Sequence, residues 1–121
     1  MDPAPDDPAK DWPRNEHGFY ACPCCGYHTL IETAGGFEIC GVCNWEEDTN
    51  FAKPWDTSLW GSANGSIPIE DAWANFESFG ACDKPENDRT RAPQIDELPR
   101  HDWQSDPRLY NGAGYTTRRN S

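Results

Sequence analysis

The spacing of apolar residues predicts one helix in the chain, from Ile69 to Phe79. Within this stretch apolar side chains recur every three or four positions, so that they share one face of a helix. They are Ile69, Ala72, Trp73 and Phe76. Pro68 and Gly80 stand where helices commonly begin and end. We expect this helix to lie across the β-hairpin described next and to shield it from water.

Ahead of the helix, the pattern predicts a short β-hairpin. Residues 27–31 are rich in strand-forming side chains, and residues 33–36 are typical of a turn. Residues 37–39 would form the returning strand, which ends at Cys40. The predicted hairpin therefore pairs residues 27–31 with residues 37–39.

The two ends of the chain lack such a pattern. Residues 1–16 are acidic and rich in proline, which is typical of an extended arm. Residues 83–121 are polar and have no sustained periodicity, so we expect a mostly extended tail with a few aromatic docking points. The sequence thus predicts a single structured domain over residues 17–82.

Two pairs of cysteines flank the predicted hairpin, and each pair leaves two residues between its members. This spacing lets a tight turn of the backbone, called a knuckle, present two thiolates to one metal ion. We predict a tetrahedral site with Zn–S distances of about 2.3 Å. Its ligands are Cys22, Cys25, Cys40 and Cys43. Because these four complete a tetrahedron, Cys24 is expected to point away from the ion. Cys82 follows the C-terminus of the predicted helix, whose dipole disfavours a thiolate, and is expected to be inert.

The composition and the N-terminal sequence favour a metal over disulfides. Leu, Ile, Val and Phe make up only about 12% of the 121 residues, too little for a self-sufficient core. The first residues have neither the basic start nor the apolar run of a signal peptide, and no stretch is long enough to span a membrane. We therefore expect a cytoplasmic protein, whose cysteine pairs bind one Zn²⁺ per chain.

Acidic residues are concentrated in the same part of the chain as the cysteines. The whole net charge of −11 lies in residues 1–81, because residues 82–121 carry equal numbers of acidic and basic side chains. Phosphate backbones are bound chiefly by Lys and Arg, so nucleic acid is disfavoured as a partner. A protein partner is expected instead, at an acidic and aromatic surface. This surface comprises Trp45, Glu46, Glu47 and Asp48.

The motifs around the cysteines resemble those of the CPCC-type cysteine-rich proteins, a small and mostly bacterial family. The matching motifs are CPCCGY at residues 22–27, FEICGVCNWEED at residues 37–48 and ANG at residues 63–65. The resemblance covers about residues 20–95. It implies a metal-binding module without an assigned activity. The chain departs from the family at Gly41, where proline is usual, and this affects the stiffness of the second knuckle alone.

We interpret the chain as a small, metal-stapled α+β domain of the zinc-ribbon type. In this fold a knuckle, a β-hairpin and a second knuckle precede one packing α-helix, with extended arms at both ends. The predicted function is zinc binding by a non-enzymatic protein-interaction module. An alternative is an iron electron carrier resembling rubredoxin, since four thiolates accept either metal and spacing cannot choose between them. A nucleic-acid-binding zinc ribbon is a third hypothesis, disfavoured by charge.

Overall fold

The computed structural model describes residues 10–32, 36–50, 52–83 and 90–109. Within these ranges the regular elements are two short strands, one α-helix and four 3₁₀ turns. The strands are β1, Tyr20–Ala21, and β2, His28–Leu30, and the helix is α1, Ile69–Phe79. The 3₁₀ turns are Thr57–Leu59, Ser62–Asn64, Ile95–Glu97 and Trp103–Ser105. No helix in the described ranges is long and apolar enough to cross a membrane.

The helix α1 confirms the prediction in its bounds and in its buried face. Gly80 follows it in a left-handed conformation (φ 84°), and its N–H donates to the carbonyl of Phe76 at 2.9 Å. Three residues of the apolar stripe are buried, and Phe76 is half-buried against the ring of Tyr27. The buried residues are Ile69, Ala72 and Trp73.

Strand pairing differs from the predicted hairpin. β2 pairs antiparallel with β1, with Tyr20 opposite Leu30, and the first knuckle lies in the connection between them. Ile39 forms an antiparallel bridge with Glu46 around the second knuckle. Each knuckle is therefore enclosed by its own antiparallel pair, and the predicted pairing of residues 27–31 with residues 37–39 is wrong for the residues described. Of the predicted turn, residues 33–35 lie outside the described residues.

Two tryptophans of the predicted arm and tail lie in the core. Trp12 and Trp103 are buried, and their ring centroids are 5.0 Å apart. Trp55 and Trp60 complete this tryptophan cluster, with centroids 5.0 Å and 6.0 Å from that of Trp12. The core thus uses residues on both sides of the predicted domain, while residues 1–9 and 110–121 lie outside the described ranges.

The segments that carry Trp12 and Trp103 are also bonded to each other. The guanidinium of Arg108 donates to the carbonyl of Asp11 at 2.6 Å and lies 4.4 Å from the ring centroid of Trp55. Asn15 donates from its side chain to the carbonyl of Asp96 at 2.8 Å. Residues 90–109 therefore pack against residues 10–15 beside the first knuckle.

Candidate metal centre

The two knuckles have the same backbone geometry. We define the first knuckle as residues 22–26 and the second as residues 40–44. In the first, the N–H of Gly26 donates to the carbonyl of Cys22 at 3.0 Å; in the second, the N–H of Asn44 donates to the carbonyl of Cys40 at 2.8 Å. Gly26 and Asn44 both have positive φ, 83° and 72°. Asparagine tolerates this left-handed conformation better than most residues.

The four predicted ligand cysteines lie together and are all buried. Their sulfur atoms fall within 4.8 Å of one another. The Sγ atoms of Cys22 and Cys43 are 3.5 Å apart, and those of Cys25 and Cys40 are 3.7 Å apart. A tetrahedron with metal–sulfur distances of about 2.3 Å has edges of about 3.8 Å. The sulfur spacing therefore fits one metal ion.

Disulfides do not account for this cluster. A disulfide requires an S–S distance of about 2.05 Å, and all six cysteines are free thiols in the structure. The donor set, its spacing and its burial together make residues 22–43 a candidate metal centre.

Hydrogen bonds support one sulfur in each knuckle. The N–H of Cys24 donates to Cys22 Sγ and that of Val42 donates to Cys40 Sγ, both at 3.4 Å. The hydroxyl of Thr29 also donates to Cys40 Sγ at 3.0 Å. These donors stabilise negative charge on sulfur, as thiolate ligands require.

The pKa values of the four thiols shift in different directions. Burial raises the pKa of Cys22, Cys25 and Cys43 well above the ordinary value for cysteine. Burial also opposes ionisation of Cys40, but hydrogen bonds from the other three cysteines and from Thr29 lower the pKa of Cys40. Burial therefore opposes ionisation throughout the cluster, and a bound divalent cation would stabilise the thiolate forms.

The two remaining cysteines are buried outside this group of four. Cys24 Sγ donates to the carbonyl of Ala72 in α1 at 3.5 Å. Cys82 donates its backbone N–H to the carbonyl of Cys43 at 2.9 Å, and burial raises the pKa of its thiol to about 12. Cys82 is therefore a neutral thiol at neutral pH, in keeping with the expectation that it is inert.

Three indole N–H groups donate to three successive carbonyls at the start of the first knuckle. We call these three tryptophans the indole clamp. The bonds are Trp12 Nε1 to Ala21 O (2.9 Å), Trp103 Nε1 to Cys22 O (2.6 Å) and Trp73 Nε1 to Pro23 O (3.0 Å). The prediction missed the parts played by Trp12 and Trp103. The available signal was that each is a large aromatic residue in an otherwise polar segment, which needs both burial and a partner for its N–H.

Residues 100 and 101 extend these contacts along the knuckle. Arg100 Nε donates to the carbonyl of Cys25 at 2.6 Å, and the N–H of His101 donates to the carbonyl of Gly26 at 2.7 Å. A Cβ atom on Gly26 would lie 2.1 Å from the carbonyl oxygen of His101. Glycine is therefore required here both by the positive φ and by the close approach of residues 100–101.

The predicted acidic and aromatic surface is largely inside the protein, which corrects that expectation. Trp45 and Glu47 are fully buried, Asp48 is 7% exposed and Glu46 is half-buried. The backbone of Glu47 pairs with that of residues 37–38, and its carboxylate accepts from the hydroxyl of Thr49.

The carboxylate of Asp48 binds the start of the 3₁₀ turn Ser62–Asn64. It accepts from the N–H groups of Gly61 and Ala63 at 3.2 and 2.7 Å, and from the Ser62 hydroxyl at 3.2 Å. These carboxylates stabilise the loop that follows the second knuckle, so Trp45, Glu47 and Asp48 cannot form an exposed docking face.

Comparison with known proteins gives one match. A family model described as cysteine-rich CPCC matches residues 20–97, which include both knuckles and α1. No curated protein and no solved structure has significant similarity to the chain.

Proposed function

Because the chain belongs to the cysteine-rich CPCC family and gathers four thiols in one buried cluster, we propose that it is a zinc-binding, non-enzymatic module. The observation that carries this proposal is the tetrahedral spacing of the four sulfur atoms. The ligands would be Cys22, Cys25, Cys40 and Cys43.

A structural role for the ion follows from the number of protein ligands. Four protein ligands close the coordination sphere of zinc, whereas catalytic zinc keeps a position open for water or substrate. The small aliphatic content of the chain supports the same role, because a bound ion supplies the cohesion that such a core lacks. Six free thiols suit a reducing compartment, and we place the protein in the cytoplasm.

We expect one zinc ion per chain. Protein produced in zinc-replete cells and measured by native mass spectrometry should carry the mass of a single zinc, and acid treatment should release it, because protons compete for thiolate ligands. A metal-free protein containing disulfides would contradict the proposal.

Iron is the alternative metal, with a rubredoxin-like electron carrier as the corresponding function. The N–H groups of Cys24 and Val42, which donate to Cys22 Sγ and Cys40 Sγ, would then help to set the reduction potential of the iron. The visible spectrum distinguishes the two metals: a red preparation supports iron, and a colourless one supports zinc.

The proposed protein partner would bind at a different surface from Trp45–Asp48. Ile31, Phe37 and Ile39 are 68%, 59% and 60% exposed, and we call them the apolar patch. The carboxylate of Glu38 accepts from the N–H groups of Ile31 and Glu32, which draws the two parts of the patch together. The acidic residues beside the patch, Glu32 and Glu38, favour a partner segment that combines aliphatic and basic side chains. They disfavour nucleic acid as the partner.

Replacing two of the three side chains of the apolar patch, Phe37 and Ile39, should abolish this binding without unfolding the domain. Phe37 has φ 59°, so Phe37→Asn keeps a residue that tolerates this backbone, and Ile39→Thr keeps β-branching. The double variant should lose partners that the wild type captures from cell extract at low salt. Ile95→Thr, at an 86% exposed position, is the matched control. Capture of the same proteins by the double variant and the control would exclude the patch.

A further inference from the structure

The two knuckles have the same geometry but are held by different numbers of contacts. The carbonyls of the first knuckle accept four hydrogen bonds from more distant segments: two from the indole clamp, one from Arg100 and one from His101. The third indole of the clamp binds the carbonyl of Ala21, just before the knuckle. Among donors in the described residues, the second knuckle accepts two such bonds. These are Arg91 N to Gly41 O at 3.2 Å and Cys82 N to Cys43 O at 2.9 Å. The first knuckle is therefore more firmly fixed.

The residue at the equivalent position of each knuckle adds to this difference. Pro23 follows the first cysteine of the first knuckle, and Gly41 follows the first cysteine of the second. Proline fixes φ, whereas glycine has the widest conformational freedom of any residue. The covalent chain thus favours movement at the second knuckle, independently of the hydrogen bonds.

A cleft borders the second knuckle. It has a volume of about 280 Å³, and its lining includes Cys43, Asn44, Asn64 and Cys82. A cleft of similar size borders Cys25, but its lining contains the ion pair between Arg100 and Glu77, whose charged atoms are 2.6 Å apart. Movement of Arg100 there would also break its bond to the carbonyl of Cys25.

We propose that the three tryptophans of the indole clamp are positioning residues that keep the first knuckle in its metal-binding shape, so that the ion enters and leaves at the second knuckle. This inference rests on the proposed metal binding. In exchange with a chelator, Cys43 would be the first ligand to leave: a donor atom of the chelator would take the place of Cys43 Sγ, and the freed thiolate would take up a proton from solvent. Departure of Cys25 instead would disturb contacts along the whole first knuckle, and each of them is costly to leave unmade.

The test compares tryptophans that differ in the carbonyl they bind. Trp103→Phe retains an aromatic ring but removes the N–H that binds Cys22 O. Trp60→Phe is the matched control, because Trp60 is also buried in the tryptophan cluster but donates to Pro54 O, outside both knuckles, at 3.0 Å. Transfer of zinc to excess 4-(2-pyridylazo)resorcinol is followed by absorbance. Because a loosened first knuckle adds a second route for release, we expect release from Trp103→Phe to be faster by at most about five-fold, the factor that corresponds to one typical hydrogen bond. Trp60→Phe should release zinc at about the wild-type rate.

Backbone amide hydrogen exchange of the zinc-loaded protein supplies a readout that a general loss of stability would not produce. In the wild type, the amides of residues 24–26 should exchange more slowly than those of residues 42–44. Trp103→Phe should accelerate exchange at residues 24–26 in particular. Equal zinc release from the two variants, or equal protection of the two knuckles, would overturn the inference. A chain that binds no zinc in native mass spectrometry would instead overturn the proposed function.

Discussion

Replacing Cys25 or Cys40 with serine is expected to abolish metal binding and to unfold the domain. Each substitution removes one of the four clustered sulfur atoms. Cys25 is the second ligand cysteine of the first knuckle, and Cys40 is the first ligand cysteine of the second knuckle. Binding of structural zinc contributes about 10–16 kcal/mol in small domains, as much as the whole net stability of a typical domain, about 5–15 kcal/mol. Circular dichroism should show loss of cooperative thermal unfolding, and native mass spectrometry should show loss of the ion.

Cys24→Ser and Cys82→Ser are the matched controls for this experiment. Both residues are buried, like the ligand cysteines, but they lie outside the cluster of four. The variants should retain one zinc ion and a cooperative transition. Loss of the metal from Cys24→Ser to the same extent as from Cys25→Ser would show that the ligand assignment is wrong.

Reversing the charge of Glu47 is the second substitution with a large expected effect. Glu47→Lys places an ammonium group at a fully buried position and removes the acceptor for the hydroxyl of Thr49. Breaking a buried polar or charged contact in this way costs about 3–5 kcal/mol. Urea denaturation of the zinc-loaded protein should show a lower free energy of unfolding by that amount.

Glu46→Lys is the control, because it makes the same charge change one residue earlier. Glu46 is half-buried, and its contacts with Asn64 are made by its backbone N–H and carbonyl, which the substitution leaves in place. We expect its free energy of unfolding to change by less than about 1 kcal/mol. Equal destabilisation by both variants would contradict the distinction between a buried and a partly exposed carboxylate.

The parts of the structure that the sequence predicted are those determined by local spacing. The apolar stripe of α1 recurs within 11 residues, and its cap depends on the next residue, Gly80. Each cysteine pair likewise lies within a single turn. Short-range periodicity and turn chemistry were therefore sufficient to locate the helix and both knuckles.

Long-range contacts could not be predicted in the same way. The hydrogen bond between Trp103 Nε1 and the carbonyl of Cys22 joins residues that are 81 positions apart. The sequence around Trp103 does not indicate which carbonyl accepts this bond. The acidic run was misinterpreted for a related reason. Glu47 and Asp48 look like solvent-exposed charges until Thr49 and the turn at Ser62–Asn64 are placed beside them.

The indole clamp also fixes an order of events during synthesis of the chain. Both cysteine pairs are complete once Cys43 has been made, whereas Trp103 follows about 60 residues later. At translation rates of about 5–20 residues per second, this interval lasts about 3–12 s. During that time the ribosome-bound chain offers four thiols to a metal ion before the C-terminal segment can close over the first knuckle. Metal loading can therefore precede completion of the fold.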